Sequence, residues 1–170
     1  AQTFTADGET LTITTEGNMT NAEAASKVAA KILSDNPTKV VVDGNGVIGD
    51  DFVHAILYPN GANKTLVDLD MKDVTLSNWT SATFRNGAND QNQFGQLGLK
   101  QIVLPMVKAD AEGNVVVPSD AFKPVDAYYV FPFTSVVIPE GYTEVGAYAF
   151  NAQTNISAVF FPSTLKAIGD

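Results

Sequence analysis

The chain contains no cysteine. Disulfides, thiol nucleophiles and cysteine-ligated zinc or iron–sulfur centres are thereby excluded. Histidine occurs once, at His54, so no metal site can be built on two imidazoles. Arginine also occurs once, at Arg85, and nineteen acidic side chains stand against ten basic ones, for a net charge of −9. Neutralising a phosphate backbone needs the opposite balance, so nucleic acid is not an expected partner. Charged residues make up 17% of the chain, below the usual ~25%. No apolar run approaches the ~20 residues of a membrane span. Neither a G-x-S-x-G nucleophile elbow nor a G-x-x-x-x-G-K-[ST] phosphate loop occurs. No signal peptide is visible. The chain opens Ala1-Gln2-Thr3 without methionine, which implies an upstream segment removed by a signal peptidase or in preparing the chain. A cysteine-free, acidic, Asn/Thr-rich composition is compatible with secretion, and an exported protein is the expectation.

What is present is enough for one domain: 170 residues, 45% hydrophobic, long enough to bury a sizeable core. An internal repeat organises it. Thr134-Ser-Val-Val-Ile-Pro139 and Ser157-Ala-Val-Phe-Phe-Pro162 head two similar segments. Pro139 maps to Pro162, Tyr142 to Leu165, Val145 to Ile168 and Gly146 to Gly169, each shifted by 23 positions. The implied template is apolar-x-x-apolar-x-apolar-Pro. Leu99, Ile102, Leu104 and Pro105 fit it fully, and Leu66, Leu69 and Met71 fit it without the proline. Val40 and Val42 give a shorter form, as do Leu11 and Ile13. The template aligns Leu11, Val40, Leu69, Ile102, Val136 and Val159. Each repeat reads as one short strand with alternate faces in and out, so a single parallel sheet of stacked strands is expected. The inward positions are Leu69, Met71, Ile102, Leu104, Val136, Ile138, Val159 and Phe161.

The segments between the strands differ. Residues 21–33 read as an amphipathic helix with Ala24, Ala25, Val28, Ala29, Ile32 and Leu33 on one stripe. Thr20 or Asn21 is its expected N-cap, Pro37 its stop, and residues 1–37 form the expected N-terminal cap of the core. Gly146–Phe150 reads as a short turn of helix pointing Phe150 inward. Residues 85–98 and 108–117 look like insertions, the first mostly loop and the second a small hairpin around Glu112-Gly113-Asn114. The chain stops at Ile168-Gly169-Asp170, where the preceding repeat runs on to Ala149-Phe150, so the last coil reads as incomplete.

The run Thr134-Ser-Val-Val-Ile-Pro-Glu-Gly-Tyr-Thr-Glu-Val-Gly-Ala-Tyr-Ala-Phe150 resembles the repeat of the bacterial BspA-like leucine-rich-repeat proteins. The resemblance is close over residues 133–170 and fair at 99–105, with a displaced Ala121-Phe122. It is weak upstream, where Ile48-Gly49-Asp50-Asp51-Phe52 has an acid in place of the family's alanine. It implies an α+β solenoid over residues 1–170. It also implies an exported or surface-bound protein of host-associated bacteria, used for adhesion or recognition. No catalytic residue or cofactor comes with the motif, so the expectation is a non-enzymatic module whose partner is an extracellular protein or glycan.

The candidate site is the outward row of the strands: Val41, Asp70, Val103, Val137 and Phe160. Contiguous exposed apolar surface marks contact sites, although β-branched and aromatic residues favour strands on either face, and an insertion could cover the row. Lys39, Asp68, Gln101, Ser135 and Ala158 form the neighbouring row. The weaker motifs have bland readings. Asp43–Asp51 lacks calcium-loop spacing and reads as a glycine-rich turn. Asp68 and Asp70 read as a solvated strand face rather than the carboxylate pair of a glycosidase. His54 reads as a satisfied or surface histidine. Trp79, Tyr128, Tyr129 and Tyr148 offer a sugar platform or core packing. Two further functions remain open: a structural spacer or cap of a longer solenoid and, more remotely, a carbohydrate-active enzyme. Self-association through an open C-terminal edge is a further expectation.

Overall fold

The computed structural model describes residues 1–85, 94–123, 130–151 and 153–169. The first two strands, β1 (Gln2–Asp7) and β2 (Thr10–Thr15), form an antiparallel hairpin in which Asp7 pairs with Thr10. Gly8, at φ +60°, turns the chain between them. From β2 onward every addition to this sheet is parallel. β4 (Lys39–Gly44), β6 (Asp68–Asp70), β8 (Gln101–Val103), β11 (Ser135–Val137) and β13 (Ala158–Phe160) follow in that order, giving seven strands with β1 at one edge and β13 at the other.

Leu11, Val40, Leu69, Ile102, Val136 and Val159 are Cα partners from strand to strand. That register coincides with the alignment read from the repeat. The reason is the two-residue period: a slip by one residue would turn every apolar side chain from the core to solvent. Leu11, Val40, Leu69, Ile102 and Val136 are buried.

Each coil also carries a second short strand, which the single-sheet reading missed. β3 (Asn18–Met19), β5 (Val47–Ile48), β7 (Thr75–Leu76) and β9 (Met106–Val107) form a four-stranded parallel sheet. β10 (Val116–Val117), β12 (Glu144–Val145) and β14 (Ala167–Ile168) form a separate three-stranded one. The two are not joined, because β9 and β10 both belong to the fourth coil but pair in opposite directions. The hairpin expected at 108–117 is therefore corrected. Asp110 N donates to Asn114 O at 2.8 Å and closes a tight turn. Its flanks, however, serve different sheets instead of each other.

Helices fill the first two return limbs. α1 (Ala22–Asp35) is N-capped by Asn21, whose Oδ1 accepts from Ala24 N at 2.8 Å, and ends on Asn36 in the left-handed region. Its buried residues are Ala24, Val28 and Ile32. Leu33, expected on the same stripe, is 53% exposed. α1 packs against α2 (Asp50–Leu57), and Gln2 Nε2 donates to Ala24 O from the inner side of β1. The edge of the main sheet is closed by β1, so the cap is the hairpin and the helix together.

Later coils use aromatic side chains where the first two use helices. Trp79, Phe84, Phe94, Phe122, Phe131 and Phe133 are buried and in ring contact. Phe150 stacks on Phe122 at 5.5 Å between ring centres. The segment Gly146–Phe150 is a turn rather than the expected helical turn, since Tyr148 sits at φ 59°. Asp120, one coil earlier, has φ 61°. Phe122 N donates to Ala149 O at 2.7 Å, so Ala121-Phe122 and Ala149-Phe150 stack as equivalent corners.

The repeated glycine has a steric cause. A Cβ on Gly146 would lie 2.5 Å from Ser119 N, and one on Gly169 would lie 2.6 Å from Ala147 N. Each glycine lets its coil sit directly on the backbone of the coil before it.

Candidate functional site

The outward face of the main sheet is built by the same alternation that fills the core. Between the buried partners, Thr12, Val41, Asp70, Val103, Val137 and Phe160 pair in succession across six neighbouring strands. Val41, Asp70, Val103 and Val137 are half-buried and Phe160 is 56% exposed. All five residues of the predicted row are thus brought together in one line. On the β1–β2 side the line continues into Thr5 and Thr12. The adjacent row runs Thr10, Lys39, Asp68, Gln101, Ser135 and Ala158.

The face is mixed in chemistry along its length. Toward β1 it presents hydroxyls. In the middle it presents carboxylates, with Lys39 Nζ 3.7 Å from Asp68 Oδ2. Asp70 Oδ1 accepts from Lys72 N at 3.2 Å. Toward β13 it becomes apolar through Val103, Val137 and Phe160. The described parts of the two insertions pack elsewhere. Gly98 N donates to Asn63 O at 2.9 Å, and a Cβ on Gly95 would meet Val130 O. Val116–Val117 lies in the three-stranded sheet.

Asp68 and Asp70 line neither of two open surface recesses. One, of about 420 Å³, is bordered by Thr3, Thr14, Glu16 and Asn45. The other, of about 300 Å³, lies between α1 and α2 beside Ala25, Ala29, Asp51, His54 and Tyr58. Among the described residues no group of three or more His, Asp or Glu side chains could hold a metal ion. No helix of the described residues is long and apolar enough to cross a membrane.

His54 lies within hydrogen-bond distance of Ala82 O, at 3.0 Å from Nε2, and meets the Tyr58 ring edge-on. Tyr58 donates to Phe84 O at 2.5 Å, and burial pushes its phenol well above the ordinary tyrosine range. Tyr142 donates to Pro105 O, and burial raises it likewise. Both phenols therefore stay neutral and act as fixed donors between coils.

The aromatic candidates separate. Trp79 is buried against Phe84 and Phe122, so it offers no sugar platform. Tyr148 is 58% exposed. Tyr128 and Tyr129 lie outside the described residues, as does most of the 85–98 insertion. Phe161, expected inward, is 50% exposed because no later coil covers it among the described residues. Val159 is only partly buried for the same reason.

No family model, curated protein or solved structure matches the chain.

Proposed function

We propose that this protein is a non-enzymatic recognition module of the BspA-like leucine-rich-repeat kind, exported and displayed at a bacterial surface. Its partner is an extracellular protein or glycan, held on the outward face of the main sheet. One observation carries the reading: Val41, Asp70, Val103, Val137 and Phe160 stand in register on neighbouring strands and keep solvent exposure. A rigid sheet holds those five side chains at fixed spacing, which lowers the ordering cost of binding. The carboxylates at one part of the row and the apolar residues at the other supply orientation and contact area respectively. Neither chemistry requires a cofactor.

The test is a binding screen of the parent against immobilised extracellular proteins, mucin-type glycans and bacterial polysaccharides. A variant carrying Val103→Ser, Val137→Ser and Phe160→Ser is run beside it. A saturable partner bound by the parent and lost by the folded variant is the expected result. Silence across the panel from a folded parent would overturn the reading. A structural role as spacer or cap within a longer stack of coils would then take its place.

A further inference from the structure

We propose that the recess where the two small sheets part holds an extended acidic peptide segment of a partner protein, added as a strand to β10. The recess measures about 210 Å³ and is bordered by Ser77–Trp79 of the third coil and by Lys108, Val116 and Pro118 of the fourth. Among the described residues β10 has β12 as its single neighbour. Glu144 N donates to Val115 O at 3.2 Å, and Gly146 N donates to Val117 O at 2.7 Å. The carbonyls of Val115 and Val117 therefore face β12. Alternation along a strand turns the Val116 N–H and C=O to the opposite side, toward the third coil. Trp79 supplies a second observation. It is 7% exposed, and its indole N–H is buried with no hydrogen-bond acceptor among the described residues. A buried donor without an acceptor carries a desolvation cost that a carbonyl seated in the recess removes.

The chemistry of the recess selects a peptide. A backbone N–H and C=O side by side on the open side of a strand match the main chain of an added strand. A sugar would need an exposed aromatic face, and the Trp79 ring is taken up by Phe84 and Phe122. Charge sets the sign of the partner. Among the described residues bordering the recess, Lys108 alone is charged, and it makes no ion pair. Asp110, on the turn beyond it, is held by the N–H groups of Glu112 and Asn114. An Asp or Glu side chain on the added strand therefore finds a free ammonium group. The net charge of −9 opposes an acidic partner at long range. At physiological salt charges beyond ~8 Å are screened, and the short contact with Lys108 decides.

None of these residues belongs to the Val41–Phe160 row, so the result stands apart from what the sheet face binds. Trp79 is the only tryptophan of the chain, and its emission reports on the recess directly. The probe is the capped pentapeptide Thr-Val-Glu-Val-Thr, titrated at physiological salt. A saturable change in Trp79 emission is expected. Gln in place of the peptide's Glu should weaken binding about threefold, the size of an exposed ion pair. Val116→Pro removes the outward N–H and leaves the pairing with β12 untouched. Its binding should fall about tenfold with the parent's circular dichroism. Lys108→Gln should erase the preference for the Glu peptide over the Gln peptide, and it carries the test if Val116→Pro fails to fold. No response from the parent, equal binding of the two peptides, or a response to galacturonic acid in place of the peptide would overturn the proposal.

Discussion

Gln153 reaches back to the preceding coil and donates from Nε2 to the carbonyl of Phe122 at 2.6 Å. Its Oε1 accepts from Phe131 N at 3.0 Å. One buried amide thus ties two limbs that carry no strand at these points among the described residues. Gln153→Leu keeps the volume and leaves both backbone groups unpaired. The expected loss is about 1–3 kcal/mol, read from urea midpoints at unchanged slope. A variant as stable as the parent would show that water replaces the amide.

Phe122 is in ring contact with Trp79, Phe84, Phe131, Phe133 and Phe150. Removing it empties the centre of the later coils. Phe122→Ala should cost about 3–5 kcal/mol by chemical denaturation. A loss below ~1 kcal/mol would mean that the neighbouring rings collapse into the gap.

Two positions on the apolar stripe of α1 should respond in opposite ways. Val28 is fully buried and Leu33 is 53% exposed. Val28→Asp places a carboxylate where no partner stands, and it should exceed the ~3 kcal/mol usual for single changes, with loss of soluble yield. Leu33→Asp should melt within a few degrees of the parent. Equal melting temperatures for the two variants would show that α1 does not cover the core.

Glu140 joins consecutive coils. Its Oε1 accepts from Ser163 N and its Oε2 from Ser163 Oγ, both at 2.9 Å. The Ser163 backbone N–H, then its hydroxyl, hold the Glu140 carboxyl below the usual carboxylate range. A group depressed in the folded state stabilises it above the unfolded pKa, and the contribution fades as pH falls through the folded value. The melting-temperature difference between parent and Glu140→Ala should therefore be flat near neutrality and shrink in acid. A difference that stays constant down to the acid limb would assign the effect to lost packing instead.

The six main strands were legible because each presents apolar residues at i and i+2, a pattern that fixes a face without further context. The second strands were not, because Val47–Ile48 or Thr75–Leu76 is two residues long and carries no period to detect. Their pairing is imposed by coil stacking, as at the Gly146 corner. Leu33 and Phe161 failed for a related reason. Periodicity tells which side of an element is apolar but not whether another layer lies against that side. At Glu112-Gly113-Asn114 the turn chemistry was readable, since it depends on local dihedrals. Which strands flank it depends on neighbours more than twenty residues away, Leu76 and Val145 among them.

The candidate row was legible to the residue, since Val41, Asp70, Val103, Val137 and Phe160 follow from the alignment alone. The exclusion of Trp79 was not, because its burial comes from Phe84 and Phe122, which no spacing rule links to it. The change in chemistry along the face, from threonines through carboxylates to Phe160, also needed the register of the β1–β2 hairpin.

The break between β9 and β10 has an engineering consequence. Residues 108–115 connect two strands that never pair with each other, so their length sets no register on either side. Doubling such a loop costs only about 0.6 kcal/mol in closure entropy. The segment around Gly113 is therefore a natural splice point, where an epitope or a fluorescent tag could be inserted and displayed while the seven-stranded sheet keeps its alignment.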